Sequence, residues 1–306
     1  MSTNIRSNLL DFFTESKLPV LEAIILATVD SYPSMIPILF NMEMMGTDIY
    51  QTTTYSGLKN PKKKPENETL EFQSIKPGFA KTFSADTYAT GYRISREMVK
   101  DGKVSFIERA TNSFSKGFFE IREFGAASIF DDGFTVNGYD GVPLFSTQHP
   151  LENGDGNFGI NRPVDPSELS TTSLRELRDI MQSTVNEDGQ LIQIPPSYLV
   201  VPQALQDTAK ELMLSEYDPN NANNNINTLA GGMKLLPGGY WNYLGSDTAF
   251  FLMADKMYHH LMFLDREAMY TDSDYDKKAF AYELMAAARF TYGHAGWRGA
   301  AGNPGL

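Results

Sequence analysis

Apolar residues repeat every three or four positions between Val104 and Asp131, more regularly than anywhere else in the chain. This spacing places them on one face of an α-helix, and no proline interrupts the run. At 1.5 Å per residue, such a helix would be about 40 Å long. Lys116 and Glu120 lie one turn apart on the other side and can form an ion pair. The pattern predicts either a central core helix or a spine along which the chain is laid. Its apolar face comprises Ile107, Ala110, Phe114, Phe118, Ile121 and Gly125, widened by Phe106, Phe119, Phe124 and Phe130.

The first 48 residues have the pattern of an arm and not of a domain. A short amphipathic stretch is followed by a candidate helix at residues 21–29, and Pro33 and Pro37 then favour extended backbone. An apolar arm of this kind packs either on its own core or on another subunit, and both alternatives stay open. The apolar positions of the first stretch are Ile5, Leu9 and Phe12 or Phe13.

Residues 49–95 predict a long two-stranded hairpin with a polar tip. Residues 50–55 are rich in β-forming side chains, and residues 70–73 and part of 82–94 alternate between apolar and polar. Between them lies LKNPKKKPENE, whose prolines and lysines are typical of a loop. A two-stranded ribbon is marginally stable alone in water, so it must lie against its own body or a neighbour. Lys62, Lys63 and Lys64 form either a small anion-binding patch or simply a solvated tip.

The remaining chain predicts short helices and strands. Ser95 is placed to cap a short helix before the long one, and Ser173 and Glu176 have the spacing of a capping box. Residues 165–245 are typical of an α/β unit, whereas residues 246–306 are mostly strand and end in an irregular glycine-rich tail. The predicted elements are a helix carrying Leu174, Leu177, Met181 and Val185, a buried strand at 198–201, a helix after Pro202 carrying Leu205, Ala209 and Leu212, and strands at 234–236, 241–244, 250–253, 261–264 and 280–292.

Composition narrows the class of protein only modestly. Of the 306 residues, 42% are hydrophobic, which is an ordinary globular balance. The net charge of −12 disfavours nucleic-acid binding unless a local patch reverses the sign. The absence of cysteine excludes disulfides and thiolate metal sites. Asp11 and Glu15 stand where a signal peptide would be basic and then apolar, and no apolar run is long enough to span a membrane, so we expect a soluble protein.

No residue pattern predicts catalysis, and we expect neither a cofactor nor a metal. Among the four histidines, His259 and His260 are adjacent and would face opposite ways on a strand. The stretch 272–283 places acidic residues at calcium-loop positions, but Lys277 occupies the position that requires glycine. We interpret it as an acidic hairpin turn. Serine-hydrolase, zinc-protease and nucleotide-binding motifs are all missing, which favours a structural protein.

Four stretches resemble the major capsid proteins of tailed bacteriophages. YRISREMVKD at 92–101 resembles the entry into that family's spine helix, and GYDGVPLFSTQHP at 138–150 resembles the loop that follows the spine. DGQ and PPSYLVVPQAL within 188–205 resemble the strand and helix of the axial domain, and WRG at 297–299 is similar to the family's end region. Each stretch alone has low specificity, but their order and spacing together are specific.

The resemblance implies the α+β shell fold of that family, which encapsulins share. Its parts would be an N-terminal arm (1–48), an extended hairpin loop (49–95), a peripheral domain with the spine helix (96–164 and 246–306) and an axial domain (165–245). It implies a non-enzymatic major capsid protein that assembles through hexamers and pentamers into an icosahedral head enclosing double-stranded DNA. The implied partners are many copies of itself, portal and scaffolding proteins, and DNA bound without sequence specificity, with no membrane. The implied location is the virion, after assembly in the host cytoplasm. The candidate inter-subunit contact residues are Lys59, Lys62, Lys63, Lys64, Leu9, Phe12 and Phe13.

Three alternatives compete with this interpretation. They are an encapsulin-like cellular shell that encloses an enzyme, a metal-dependent hydrolase built on residues 165–245, and a monomeric binding module that uses the hairpin. Two departures from the family matter. No stretch resembles the cleaved scaffolding region with which many relatives begin, and the hairpin lysines, which some relatives cross-link to a neighbour's asparagine, have no identifiable acceptor here.

Overall fold

The structure is a computed structural model that describes residues 25–29, 31–55, 63–67, 69–70, 72, 77–101, 103–151, 158–187, 189–217 and 226–306. Residues 25–29 are helical, in agreement with the second part of the predicted arm helix. The helices that follow are α1 Ile36–Leu39, α2 Arg96–Lys100, α3 Val104–Asp131, α4 Thr171–Gln182 and α5 Gln206–Leu214. The strands are β1 Asn41–Met44, β2 Ile49–Tyr55, β3 Pro77–Ser84, β4 Asp86–Ser95, β5 His149–Pro150, β6 Phe158–Gly159, β7 Pro196–Val200, β8 Lys234–Leu235, β9 Phe250–Ala254, β10 Leu261–Asp276, β11 Ala281–His294 and β12 Ala300–Asn303.

The first sheet contains strands β1, β10, β11 and β4 in that order. The long strands β10 and β11 are antiparallel, β1 runs parallel to β10, and β4 runs antiparallel to β11. Residues 277–280 form the turn between β10 and β11, so the predicted acidic hairpin turn is confirmed. β10 is much longer than the apolar segment 261–264 predicted, because the strand continues beyond it as a partly exposed ribbon, whereas β11 agrees with the predicted strand at 280–292 within two residues.

The predicted hairpin of β2 and β3 is confirmed, and it leaves the first sheet at one row of residues. Met44, Asp265, Phe290 and Asp86 are successive cross-strand partners in this row. β1 ends at Met44 and β4 begins at Asp86, and the paired strands β2 and β3 lie between them in the sequence. The two legs of the hairpin therefore join opposite edges of the same sheet. The alternating stretch 82–94 is divided between β3, in the hairpin, and β4, in the sheet.

The predicted long helix is confirmed as α3, with the bounds that the apolar pattern indicated. The ion pair between Lys116 and Glu120 is also present, at 3.0 Å. The prediction of the buried face was wrong in part, since Phe106, Ile121 and Phe124 are exposed. The helix is rotated relative to the predicted face because it buries polar groups on its inner side. These buried polar residues are Thr111, Ser115 and Glu123.

Aromatic rings form the centre of the main core, between α3 and the two sheets. Phe130 of α3 packs edge-on against Phe251 of β9, with ring centroids 5.1 Å apart, and against Trp241 at 5.7 Å. Phe40, which directly follows α1, packs on the same Phe130 ring. Edge-to-face ring pairs contribute about 0.5–1.5 kcal/mol beyond the area that they bury. This cluster therefore holds α1, α3 and β9 in one arrangement.

The second sheet contains strands β12, β9, β7 and β8 in that order. Helix α4 contributes the buried residues Leu174, Leu177 and Met181, and α5 contributes Ala209 and Leu212, to the cluster that covers this sheet. The predicted strands at 198–201, 234–236 and 250–253 and both predicted helices are confirmed within a few residues. Because β9 lies between β12 and β7, this sheet combines strands from residues 165–245 with strands from residues 246–306.

Four local predictions were wrong. Pro37 lies in the first turn of α1 and does not force extended backbone. Proline is tolerated there because the N–H groups of the first turn make no hydrogen bond within the helix. The capping box is formed by Ser170 and Ser173, one turn earlier than predicted. Residues 241–244 form a turn, and not a strand. The tail is not irregular throughout, because Ala300–Asn303 pair with β9 as strand β12.

Ser95 caps α2, as predicted. Its side-chain oxygen accepts a hydrogen bond from the backbone N–H of Met98 at 3.3 Å. An N-cap of this kind stabilises a helix by about 1 kcal/mol. The cap allows β4 to change directly into α2, which then leads into α3.

Candidate inter-subunit contact surfaces

The base of the β2–β3 hairpin is fixed to the first sheet mainly by packing. Phe83 of β3 is buried in a cluster with Met45, Met262 and Leu264. Gly293 of β11 allows this close approach, because a Cβ atom at that position would lie 2.7 Å from the Phe83 ring. The hairpin is therefore fixed where it begins, and its distal part extends beyond this contact.

Charged groups support the same base from the surface. Arg266 donates to the carbonyl oxygen of Met45 at 2.9 Å, and Arg289 pairs with the Asp48 carboxylate at 3.2 Å. Asp48 is largely exposed, so its ion pair contributes at most about 1 kcal/mol. Sequence reasoning missed this arrangement because its partners are more than two hundred residues apart.

The hairpin tip is described only in part. Lys63 and Lys64 are exposed and lie in neither a helix nor a strand. Lys59 and Lys62 lie outside the described residues, and so do Leu9, Phe12 and Phe13 of the arm. The structure therefore does not test the predicted contact residues, although Lys63 and Lys64 are accessible to a partner.

An apolar stripe runs along the outer side of α3. Phe106 and Phe124 are each 55% exposed, and Ile121 is 40% exposed. With Gly117 they recur at helical spacing, so they share one face of the helix. Isolated exposed apolar residues are normal, but an aligned set on a 28-residue helix marks a surface that suits a contact. We call these four residues the α3 stripe.

Glu123 joins three parts of the chain inside the main core. Its side chain is almost fully buried, and one carboxylate oxygen accepts hydrogen bonds from the Ser34 hydroxyl at 2.5 Å and the Met35 N–H at 3.2 Å. The other oxygen accepts from the Trp241 indole N–H at 2.9 Å. Burial raises the pKa of Glu123, although the hydrogen bonds act in the opposite direction. The residue fixes the segment before α1 and the turn that carries Trp241 against α3.

A second buried polar centre lies around Asn161. Its amide nitrogen donates to the carbonyl oxygens of Leu144 at 2.7 Å, Ala300 at 3.1 Å and Trp297 at 3.3 Å. Its amide oxygen accepts from the backbone N–H of Ser146 at 2.8 Å. One side chain therefore connects the loop after α3 with the C-terminal segment that leads into β12.

His149 extends this centre. Its ring stacks on Trp297 with centroids 4.6 Å apart, and its Nδ1 lies 2.6 Å from the Asp140 carboxylate. The pair is fully enclosed, and the Nε2 atom of His149 lies 3.2 Å from both the Leu144 carbonyl oxygen and the Asn161 amide oxygen, so hydrogen bonds satisfy both ring nitrogens. Two of the stretches that carry the family resemblance, 138–150 and 297–299, therefore meet here. Their function in this chain is to hold the fold together.

We expect the stability of the subunit to fall between pH 7 and pH 5. Burial lowers the pKa of His259 to about 4 and that of His294 to about 4, whereas unfolded histidine binds its proton near pH 6.5. Because the unfolded chain takes up protons in a range where the folded chain does not, each histidine lowers the free energy of unfolding by about 2 kcal/mol from pH 7 to pH 5.

Urea unfolding at the two pH values measures this dependence, and His259→Gln is expected to reduce the difference. Glu108→Gln changes an exposed carboxylate and serves as the control. An unchanged pH difference in the His259→Gln variant would contradict the prediction.

The arrangement of these elements is shared with solved shell proteins. The capsid protein of bacteriophage JBD30 is 14% identical, with a TM-score of 0.55 over 70% of this chain and 92% of that chain. A chain from Microbacterium phage Oxtober96 is 11% identical, with a TM-score of 0.54 over 87% and 88%. A virus-like particle protein from Pyrococcus furiosus is 7% identical, with a TM-score of 0.53 over 94% and 99%. At such identities the likeness shows the fold alone, and that fold is the one of capsid shell proteins.

The particular family follows from the sequence. The family model described as phage capsid protein matches residues 79–303, and the chain belongs to this family. It is therefore a structural capsid protein, acts in many copies as a subunit of an icosahedral phage head, and resides in the virion. No curated protein sequence is similar to it. No helix in the described part of the chain is both long and apolar enough to cross a membrane.

Proposed function

We propose that the chain is the major head subunit that closes around a double-stranded DNA genome through rings of six and five subunits. The match of the phage capsid family over residues 79–303 is the observation that carries this proposal. Identical subunits in heterologous contact form rings when the rotation closes, and small changes of angle allow such rings to tile a closed surface. Many modest interfaces then act together, so that the shell is stable although each contact is weak.

We assign the contacts between subunits to the β2–β3 hairpin and the N-terminal arm. Support comes from the fixed base of the hairpin, the exposed side chains of Lys63 and Lys64, and the position of the hairpin at the edges of the first sheet. The lysines at the tip are the strongest local positive group in a chain of net charge −12, so the acidic surface of another copy is a favourable partner. Portal and scaffolding proteins complete the proposed set of partners, and assembly takes place in the host cytoplasm.

Electron microscopy of the purified protein, together with light scattering, tests the proposal. Closed shells or rings of five and six subunits support it. A monodisperse monomer at high concentration, unchanged by salt or crowding, contradicts it. The net charge of −12 suits packaging and release of a genome, because a protein of the same sign as DNA does not hold DNA tightly.

Deletion of residues 60–67 is expected to leave the fold intact and to weaken assembly. The deletion removes Lys62, Lys63 and Lys64, but neither the packing of Phe83 nor the pairing of β2 with β3. Circular dichroism measures the fold, and particle yield in electron microscopy measures assembly. A variant that replaces the same eight residues with a glycine–serine linker is the control for length. Wild-type particle yield from the deletion would show that the tip is only a solvated loop.

An encapsulin-like cellular shell is the second candidate. The virus-like particle protein from Pyrococcus furiosus matches this chain almost end to end, which favours a subunit of similar size and outline. The contents of particles purified from the native source distinguish the two functions. A nuclease-protected DNA genome indicates a phage head, and a co-purifying enzyme indicates a cellular shell.

A further inference from the structure

A groove lies beside the α3 stripe, between the helix and the edge of the first sheet. Residues 87–90 of β4 form one wall, and Phe114, Gly117 and Ile121 of α3 form the other. The groove has a volume of about 420 Å³. Within the described residues, the outer edge of β4 has no strand beside it, because β4 is the last strand of its sheet. We call this feature the β4–α3 groove.

The chemistry of the groove selects an apolar and uncharged occupant. The side chains that line it are threonine, serine, alanine, tyrosine, phenylalanine and isoleucine, together with the glycine at position 117, and none of them carries a charge. Phe106 and Phe124 do not line the groove, but both are exposed and lie on the same face of α3 as Gly117. A lysine-rich hairpin tip would lose hydration there without gaining a partner of opposite charge. The tip of the hairpin is therefore a poor occupant.

The point where the described chain begins indicates a better occupant. Ile25 is fully buried in a small apolar cluster with Ile94 of β4 and Ile107 of α3. Phe114, which lines the groove, packs against the same cluster. Residues 1–24 therefore join the described chain beside one end of the groove. Their apolar residues Leu9, Phe12 and Phe13 have the spacing of a short amphipathic helix.

We propose that the β4–α3 groove is the binding site of the amino-terminal segment, residues 1–24, with Leu9, Phe12 and Phe13 as the residues that fill it. The inference rests on the proposed function, because it names the surface that the arm contacts. Apolar side chains of the segment remove the α3 stripe from water, and this burial supplies the attraction. The segment joins the chain next to the groove, which gives it a high effective concentration there; in a shell, a neighbouring copy can supply the same segment to the same site.

Disulfide cross-linking tests the proposal cleanly because the chain has no cysteine of its own. Gly117→Cys suits the groove position, since a Cβ atom added there would meet no described atom within 4 Å apart from its own helical backbone. It is combined in turn with Leu9→Cys, Phe12→Cys and Phe13→Cys. A disulfide requires Cα atoms about 4.4–6.8 Å apart, so only a segment that lies in the groove forms one efficiently. The control pairs use Asn112→Cys, an exposed position on another face of α3.

We expect at least one Gly117→Cys pair to cross-link several-fold more than its Asn112→Cys control under mild oxidation. Peptide mapping by mass spectrometry identifies the bond, and the mass under non-reducing conditions shows whether one chain or two supply it. Either form supports the proposal, since the same segment occupies the same groove. Cross-linking no greater than the control for all three pairs overturns it.

Blocking the groove provides a second test that does not depend on oxidation. Gly117→Leu adds apolar bulk at the groove, where the Cβ atom has room, and replaces glycine by a better helix former, so we expect the fold to be retained. We expect proteolysis within residues 1–24 to become several-fold faster than in the Gly117→Ala control. An unchanged rate overturns the proposal. Particle formation in electron microscopy is scored separately, so closed shells without a groove disulfide refute this inference and leave the proposed function intact.

Discussion

Replacement of Asn161 with alanine is expected to lower the free energy of unfolding by about 4 kcal/mol, because each buried polar group left without a partner costs about 1–3 kcal/mol. The side chain of Asn161 satisfies three carbonyl oxygens and one backbone N–H from two distant segments. Alanine cannot supply any of these hydrogen bonds, and the site is too enclosed for water to replace them all. Chemical denaturation of the purified subunit measures the loss.

Asn112→Ala is the matched control for this experiment. Asn112 is exposed on α3, where alanine is the better helix former, so its replacement should be neutral or slightly stabilising. Equal effects from the two substitutions would show that the network around Asn161 does not determine stability. A loss of folded protein for Asn161→Ala alone agrees with the prediction.

Replacement of Glu123 with alanine is expected to lower the free energy of unfolding by about 3 kcal/mol, because its removal leaves buried donors without an acceptor. The orphaned donors are the Ser34 hydroxyl, the Met35 N–H and the Trp241 indole N–H. Relief from burying a carboxylate offsets part of the loss, since burial already raises the pKa of Glu123. Denaturation curves followed by tryptophan fluorescence measure the stability, and a Trp297→Phe background restricts the signal to the environment of Trp241.

Glu108→Ala removes an exposed glutamate from the same helix and is the control for charge and helix propensity. Its effect on unfolding should stay within about 0.5 kcal/mol, as for most surface substitutions. If Glu123→Ala were as mild as Glu108→Ala, the core around Trp241 would not depend on the carboxylate.

Strong local patterns in the sequence predicted most of the helices and strands. The uninterrupted apolar repeat predicted α3 to the residue, and the runs rich in β-forming side chains predicted the β2–β3 hairpin and β9. These elements carry their own signal because periodicity and propensity act over a few neighbouring residues. The order of the resembling stretches, and not any motif, indicated the family.

Elements that depend on distant partners were missed for a physical reason. β12 has the sequence AAGN, which favours no strand, and it is a strand because Ala300 and Ala301 pair with Met253 and Leu252 of β9. The rotation of α3 was missed because an apolar periodicity assigns Phe124 to the buried face and Glu123 to the exposed face. In the structure, Glu123 is buried and Phe124 is exposed. Position 123 is suitable for a buried carboxylate only because Ser34 and Trp241 lie beside it in the fold and donate hydrogen bonds to it.

The candidate contact surfaces were predicted less completely than the fold. The lysines of the tip can be recognised because a charged run between prolines is a local signal. The base of the hairpin cannot be recognised in the sequence, since Asp48 meets Arg266 and Arg289 only after β10 and β11 have formed. The α3 stripe is visible in the sequence as apolar residues, but nothing local distinguishes a surface that meets another segment from one that meets its own core.

The attachment of the hairpin has a mechanical consequence. Its two legs meet the first sheet in a single row, at opposite edges, with the long strands β10 and β11 between them. A ribbon held at two separated points can tilt about the line through those points, but it cannot spin about its own length. We therefore expect the part of the hairpin beyond the fixed base to tilt in one direction only, with its angle set by the twist of the sheet. A subunit built in this way can contact neighbouring subunits at different angles while the hairpin itself keeps its shape.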